Sequence, residues 1–437
     1  MQFQNLSGRW VGTLSVILLG LGVNVWAQTN TFAMATGISR PERVIDSTTM
    51  NHKLLMGYQG WFACPGDGSA PNRWGHWFRN NNPVAQNAAV DFWPDISELD
   101  ADELFATRLM LPDGTPAKVY SAFTTKTVMR HFQWMRDYDL DGVFLQRFVS
   151  ELSDPANFAL RNRVAENVRG GAEKYGRVFA IMYDISGQGT NHLIRALTND
   201  WNFLVGTMHI TESSRYLRHH GKPVVALWGF GFSGRRDTPA QAQEAIRFFK
   251  NAGCTVVGGV PAHWRTLNGD AQTNGAWADV FRSFDVISPW SVGRYGDDAG
   301  ADNFAQKIMI PDLAAATNAG REYLPVIYPG FSWHNLNGAP LNQIPRRNGA
   351  FYWRQAGNAV AAGCTMIYGA MFDEMDEGTA MFKLAPSAAQ LPVQGNFVPL
   401  DIDGNKLPAD WYLRLANEAG KMLRGEIPVQ TKVPISP

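Results

Sequence analysis

The sequence has little cysteine and no excess of charge, and each shortage excludes a class of protein. Its 437 residues carry 39 basic and 39 acidic side chains, so the formal net charge is zero. Without a basic excess there is no polybasic groove, which argues against nucleic acid as the main partner. The three cysteines, Cys64, Cys254 and Cys364, show no zinc-ligand spacing, so no structural zinc is expected.

Apolar runs long enough to span a membrane are also missing. At the N-terminus, Arg9 precedes an apolar stretch that ends at Trp26, and Ala27 stands before Gln28. The apolar core is about 13 to 16 residues, short of the roughly 20 that a spanning helix needs. This pattern predicts a secretory signal over residues 1–27, and hence a secreted or periplasmic protein, with a membrane anchor as the alternative. No coiled-coil heptads occur, so we expect a monomer.

Eight short apolar runs alternate with helical patterns along the chain. Continuously apolar runs of this length are typical of parallel strands buried on both faces. Eight such strands alternating with helices predict an α/β fold, a (β/α)₈ TIM barrel over residues 28–385 with long βα loops. Residues 386–437 are expected to pack on it as a short C-terminal appendage. An open doubly wound sheet is the alternative, but no glycine fingerprint follows the first run. The eight runs are 54–62, 142–148, 178–184, 224–230, 255–260, 285–290, 324–331 and 365–374.

Two of the intervening helices carry clear boundary signals. Thr238, Pro239 and Gln241 form the pattern of a capped helix start. Ser153 or Asp154 followed by Pro155 predicts a second start. A ninth apolar segment, 118–123, is interpreted as a short extra element within a long first loop.

Aromatic and hydrogen-bonding side chains follow most of the predicted strands. Barrel enzymes carry their reactive groups at these carboxyl ends. Aromatic rings with polar partners suit a sugar, whose ring faces are apolar and whose hydroxyls need hydrogen bonds. The alternative is that these tryptophans fill core space. The candidate sugar-binding residues are Gln59, Trp61, Gln146, Arg147, Tyr183, Asp184, Trp228, His263, Trp264, Trp290 and Tyr328, with Trp77, Trp333 and His334 from long loops.

The densest chemical signal is the acidic segment at the end of the last predicted strand. Asp373, Glu374, Asp376 and Glu377 place four carboxylates within five positions. Crowded carboxylates shift one another's pKa values, so that one can stay protonated while another is ionised. Glycoside cleavage needs such a pair. Two alternatives stay open: a calcium or magnesium site, and a solvated acidic turn.

The run MFDEMDEGT (371–379) resembles the Asn-Glu-Trp-(His/Gly)-Glu-Gly-Thr segment of the glycoside hydrolase family 71/99-like barrels, which include endo-α-mannosidases. The stretch YPGFSWHN from Tyr328, followed by Pro345-Arg346 and Gly349, has the same order as in that family. The segments LQRF (145–148) and DWYLRL (410–415) look like those of the branch often labelled xylosidase/arabinosidase.

The resemblance implies roles for two glutamates. Glu374 matches the base that deprotonates the substrate 2-hydroxyl, which then attacks the anomeric carbon. Glu377 matches the acid that protonates the leaving group and later acts as base on water. The resemblance thus implies retention of configuration, a carbohydrate partner, and no metal or cofactor.

This sequence departs from the family pattern within the motif itself. Asp373 replaces Asn, Met375 and Asp376 replace the two residues between the glutamates, and the apolar 380–382 replaces a polar run. An added carboxylate at position 376 either helps Glu377 to stay protonated or takes a role of its own. The sequence therefore predicts a secreted glycoside hydrolase. A carbohydrate-binding barrel without catalysis and a metal-dependent hydrolase are the alternatives.

Overall fold

The computed structural model describes residues 43–187 and 192–437, which include eight parallel strands of one sheet. Each of the eight apolar runs contains or overlaps one of these strands, so all eight predicted strands are confirmed. The predicted signal segment, 1–27, lies outside the described residues. The strands are β1 (Leu54–Tyr58), β2 (Gly142–Phe148), β3 (Val178–Asp184), β4 (Lys222–Trp228), β5 (Thr255–Pro261), β6 (Val286–Trp290), β7 (Glu322–Tyr323 and Val326–Ile327) and β8 (Ile367–Gly369).

The sheet closes into a barrel through β7, whose two halves pair with different neighbours. The first half pairs with β6 and the second half with β8. Between the halves, the Leu324 amide donates to the Ile287 carbonyl at 2.9 Å, and the Pro325 carbonyl accepts from the Tyr368 amide at 2.9 Å. The order is therefore β7-β6-β5-β4-β3-β2-β1-β8 and back to β7, which confirms the predicted (β/α)₈ barrel.

A helix follows each strand along the chain. Two predicted helix starts are confirmed: Asp154 accepts from the Asn157 amide, and Thr238 with Gln241 forms a capping box. Among the described residues no helix has the length and apolar character needed to cross a bilayer. The helices are α1 (Thr125–Asp137), α2 (Pro155–Tyr175), α3 (Leu193–Gly206), α4 (Pro239–Asn251), α5 (Trp277–Ser283), α6 (Asp298–Phe304, continuing through Ala305–Met309 and Ile310–Asn318), α7 (Ala350–Ala361) and α8 (Trp411–Leu423).

The long connection between β1 and α1 carries the extra element expected around 118–123. Strand Pro116–Tyr120 pairs in antiparallel fashion with Leu104–Met110, in a two-stranded sheet separate from the barrel. Two further short elements lie in other connections: Arg218–His219, which pairs with the start of β4, and the helix His334–Asn337 after β7.

The segment expected to be an appendage, 386–437, supplies α8. This helix packs against α7 and β1. The indole nitrogen of Trp411 donates to the Asn348 carbonyl at 2.9 Å, and the guanidinium of Arg346 lies 4.7 Å from the centre of the Tyr412 ring. The segment therefore completes the eighth strand–helix pair of the barrel.

Candidate active site

The acidic segment lies at the carboxyl end of β8, and Asp373 fixes it to the neighbouring end of β1. The two carboxylate oxygens of Asp373 accept from the backbone amides of Gln59, at 2.7 Å, and Gly60, at 2.9 Å. Asp373 is fully buried, and burial raises its pKa to about 7. Its side chain is therefore engaged with the backbone of an adjacent strand end rather than directed at a ligand.

Residues 374–379 form a tight turn. The carbonyl of Glu374 accepts from the Thr379 amide at 3.0 Å, and the carbonyl of Met375 accepts from the Gly378 amide at 3.1 Å. Gly378 has a positive φ of 66°, which a side chain would disfavour. The Ser332 amide donates to the Glu377 carbonyl at 3.0 Å, so the turn is also held from the loop after β7. This turn brings both glutamates to the same end of the barrel.

The two glutamates differ in their surroundings. Glu374 is 4% exposed, and its pKa is raised well above the usual range by burial and by the charges of Glu377 and Asp376. A side-chain hydrogen bond from Gln59 partly opposes this rise. Glu377 is partly exposed, and burial, Asp376 and Asp184 raise its pKa to about 8. Glu377 can therefore hold a proton at neutral pH.

His76 and Trp61 face the acidic turn from the loop after β1. Nδ1 of His76 lies 2.9 Å from Oδ2 of Asp376. The imidazole stacks on the indole of Trp61 with ring centres 3.9 Å apart and planes 4° apart. One face of Trp61 is thus covered by protein, so its predicted role as a sugar-stacking surface is limited to the rest of the ring.

A second group of predicted residues lies across the barrel mouth from this loop. The side-chain amide of Gln146 donates to the hydroxyl of Tyr368 at 3.1 Å. The ring of Trp290 lies 6.3 Å from Tyr368 and 5.3 Å from Trp228. Asp184 is the register partner of Trp228 on the adjacent strand, and burial raises its pKa to about 6. These residues form a partly aromatic wall beside the carboxylates.

Several polar atoms around the acidic turn are buried without a hydrogen-bond partner. A buried polar atom without a partner is destabilising, so such atoms commonly mark a place where a ligand or water binds. The atoms come from the ends of different strands and from the adjoining loops. They are Gln59 Oε1, Trp61 Nε1, Gln146 Oε1, Trp228 Nε1, Trp333 Nε1 and Asp376 Oδ1.

Arg147 and Tyr183, both predicted to bind sugar, lie outside the site. Nε of Arg147 donates to Asp200 of α3 at 2.8 Å, and the Tyr183 hydroxyl donates to the same carboxylate at 2.7 Å. Successive side chains of a strand point to opposite faces. Because Gln146 and Asp184 point into the barrel, Arg147 and Tyr183 must point outward to the helices. Their prediction as sugar-binding residues is wrong.

Three other predicted aromatics are held within the protein. The indole nitrogen of Trp264 donates to Asp312 of α6 at 2.9 Å, and that of Trp77 donates to the Tyr120 carbonyl at 2.9 Å. Tyr328 donates its hydroxyl to the Tyr295 carbonyl. All three rings are buried, so here the core-filling alternative is the correct one.

The last three candidates are loop residues. Two of them hydrogen-bond to residues outside the acidic turn, and the third has no hydrogen-bond partner for its indole nitrogen. His263 hydrogen-bonds through Nδ1 to Asp270 at 2.8 Å, and His334 through Nδ1 to the Ala339 carbonyl at 2.9 Å. Trp333, one residue after Ser332, has the unpartnered indole nitrogen noted above. For these three residues a contact with sugar stays a prediction.

Neither the inward position of Tyr368 nor the contact of His76 with Asp376 was predicted from the sequence. Tyr368 is the central residue of β8, and its hydroxyl would lie 2.2 Å from a Cβ placed on Gly57. Alternation along β8 identifies it as inward-pointing only once barrel closure has set the phase of the strand. His76 carries no comparable signal, because its contact with Asp376 joins residues 300 positions apart.

Metal-ligating side chains converge elsewhere. Within residues 43–187 and 192–437 two groups of such ligands cluster, and neither includes the acidic turn. One is exposed Asp100 and Asp102 with buried Glu103, where Lys126 and Arg130 form ion pairs.

The other group is His219, His220 and Glu322, which lies at the amino-terminal ends of the barrel strands. The Met50 amide donates to His219 Nδ1 at 3.2 Å, so a neutral imidazole carries its proton on Nε2. Nε2 lies 2.7 Å from Glu322, to which that proton is donated. This hydrogen-bonding pattern disfavours metal ligation by His219.

Comparison with known proteins finds similar folds among solved structures. No family model matches the chain, and no curated protein matches it. It is similar to the solved structure of the GH99 endo-alpha-mannosidase from Bacteroides thetaiotaomicron, with 15% identity, a TM-score of 0.61 and coverage of 86% of this chain and 99% of that one. A glycoside hydrolase-like protein matches with 15% identity, a TM-score of 0.50 and coverage of 80% and 99%. At such identities the likeness shows the (β/α)₈ fold, and the resemblance is confirmed at that level.

Proposed function

We propose that this protein is a glycoside hydrolase in which Glu374 and Glu377 are the working pair. The observation that carries the proposal is the placement of both carboxyl groups in one turn at the mouth of the barrel, beside unpartnered polar atoms. Reactive groups of barrel enzymes occupy this end of the strands. The solved structures that resemble this fold include an endo-α-mannosidase, which is consistent with a carbohydrate substrate.

Glu377 is the group that we assign to leaving-group protonation. Its raised pKa, about 8, keeps it protonated at neutral pH, as a general acid requires. Glu374, which accepts a hydrogen bond from Gln59, removes the proton from the substrate 2-hydroxyl. The 2-oxygen then attacks the anomeric carbon as the bond to the leaving group breaks. Water opens the resulting epoxide-like intermediate with Glu377 as base while Glu374 returns its proton to the 2-oxygen, and the two inversions give net retention.

The sugar-binding residues in this proposal are those that the structure brings to the barrel mouth. Gln59 and Gln146 each have a buried amide oxygen free for a hydroxyl donor. The indoles of Trp228 and Trp290 offer apolar ring surface, and the unpartnered indole nitrogen of Trp228 offers a donor. Asp184 lies beside them and beside Glu377. We also propose that the protein is exported and monomeric, as the sequence predicts.

A carbohydrate-binding barrel without catalysis is the second candidate. It is favoured by the raised pKa of Glu374, because a raised pKa reduces the fraction of the carboxylate form that can remove a proton from a hydroxyl. The two candidates differ in turnover and agree in sugar binding.

The test compares wild type with Glu377→Gln and with Glu166→Gln, an exposed glutamate on α2 that serves as the matched control. Each protein is incubated with α-mannans, α-glucans, arabinoxylans and host-type glycans, and released saccharides are followed by mass. We expect release by wild type and by the control, with a loss of about 100-fold or more in Glu377→Gln. NMR of the first product should show retained anomeric configuration. Glycan binding without release would favour the second candidate.

A further inference from the structure

The loop that carries His76 is fixed to the end of β1 by its backbone. Ala63 and Gly75 form an antiparallel bridge, with the Gly75 amide donating at 2.9 Å and the Ala63 amide at 3.2 Å. The next residue, His76, adopts a positive φ of 59°, a conformation that non-glycine residues seldom occupy. The bridge and the stacking on Trp61 together hold the imidazole in one orientation. Such over-determined backbone conformations concentrate at functional sites.

Asp376 receives this imidazole and is otherwise enclosed. Asp376 is 4% exposed as a residue. Its Oδ2 is hydrogen-bonded to His76, and its Oδ1 is buried without a partner. It lies between Glu374 and Glu377 in the tight turn, so the position of its carboxylate relative to both is set by the turn and by His76. The hydrogen bond to His76 and the burial of Asp376 together restrict the motion of this carboxylate.

We infer that His76 and Asp376 are positioning residues for the acid glutamate: the imidazole fixes the Asp376 carboxylate so that its negative charge lies beside Glu377 and favours the protonated acid. This inference rests on the proposed function. His76 acts through Asp376, and Asp376 acts through Glu377. The arrangement gives a physical reason for a third carboxylate between two glutamates, where a charge would otherwise only destabilise the turn.

The charged and titratable groups around His76 and Asp376 lie on several elements. Asp376 raises the pKa of Glu377 and Glu374 in its own turn, of Asp373 at the start of the segment, and of Tyr120 in the hairpin. Asp184 at the end of β3 adds a further negative charge near Glu377. His76 is the imidazole that faces Asp376. Removing the Asp376 charge should therefore lower the pKa most at its two glutamate neighbours and least at distant groups.

The test measures the pH dependence of kcat/KM for wild type, Asp376→Asn, Asp376→Glu and His76→Ala in the full chain. An acid glutamate must be protonated, so activity falls as pH rises through its pKa. For Asp376→Asn we expect this alkaline limb to move down by about one pH unit, since a neighbouring charge has been removed. Asp376→Glu keeps the charge and should keep the limb. His76→Ala should move it in the same direction as Asp376→Asn, by less.

A second measurement separates this inference from the proposed function. With ¹³C-labelled glutamate, the Glu377 carboxyl is titrated by NMR and assigned by its loss in Glu377→Gln. A lower pKa of Glu377 in Asp376→Asn than in wild type supports the inference even if no glycan is hydrolysed. An unchanged alkaline limb or an unchanged Glu377 pKa in Asp376→Asn overturns it, whatever happens to kcat.

Discussion

Replacing either of two aspartates near β3 by asparagine should have opposite effects on stability and activity. Asp200 of α3 is buried against the outward face of β2 and β3, where it binds Arg147 and Tyr183. Asp184 at the end of β3 points inward to the barrel mouth. Asp200→Asn should lower the free energy of unfolding and leave catalysis largely intact. Asp184→Asn should lower activity and leave the fold intact.

The size of the stability loss follows from the burial of the ion pair. Arg147 is fully buried and Asp200 is 3% exposed, so Asp200→Asn leaves a guanidinium without its counter-charge. Breaking a buried pair in this way costs about 3 to 5 kcal/mol. For a chain of this length the loss lowers the melting temperature by about 3 to 5 °C.

Asp184→Asn should not lower the free energy of unfolding as Asp200→Asn does. Burial raises the Asp184 pKa to about 6, above its value in the unfolded chain, so the ionised side chain destabilises the fold as pH rises through this range. The asparagine removes that penalty, and stability at pH 7 should stay or rise. We expect kcat/KM to fall about 10-fold or more, the loss of at least one hydrogen bond to substrate.

Urea unfolding followed by tryptophan fluorescence, with kcat/KM measured on the same samples, decides this prediction. Tyr183→Phe is the milder companion: it removes one hydrogen bond to Asp200 and should cost about 1.5 to 3 kcal/mol without loss of activity. If Asp200→Asn abolished activity while leaving stability unchanged, or Asp184→Asn unfolded the protein, the assignment of inward and outward faces would be refuted.

Three further predictions concern other parts of the chain. The alkaline limb of wild-type kcat/KM should lie near pH 8, where Glu377 loses its proton, and a limb below pH 6 would contradict the acid assignment. Gly259→Ala places a Cβ 2.3 Å from Cδ1 of Trp228, so it should displace that indole, change the fluorescence spectrum and raise KM; a changed spectrum with unchanged kinetics would show that this indole does not bind sugar. Thr238→Ala removes the cap on Gln241 and should cost about 1 kcal/mol in urea unfolding, with kinetics unchanged.

Local sequence patterns predicted the strands, two helix starts and the fold class. The runs at 178–184 and 255–260 are mainly apolar, and β3 and β5 are buried along their whole length. The capping residues Asp154 and Thr238 act on amides three positions away, so their signal is contained in a short window. Such features are predictable because the interacting groups are close in the chain.

The sugar-site predictions were less successful, because they depended on which face of a strand each residue occupies. Gln146 and Arg147 are adjacent in sequence, yet one reaches Tyr368 inside the barrel and the other reaches Asp200 outside it. An apolar run buried on both faces contains no polar alternation from which to read the inward side. The phase is set by barrel closure, to which all eight strands contribute.

The sequence by itself determined the barrel and the carboxylate-rich turn, because strand burial, helix caps and the DEMDEG run are properties of short segments. Only the tertiary structure decided which groups meet there. His76 contacts Asp376 across 300 positions, and Asp373 binds amides of Gln59 and Gly60 over 314 and 313 positions. These contacts exist because closing the barrel places β8 beside β1. Because β1 is the first strand of the barrel and β8 the last, their pairing joins residues that are far apart in the sequence. No local sequence pattern encodes the distances that result.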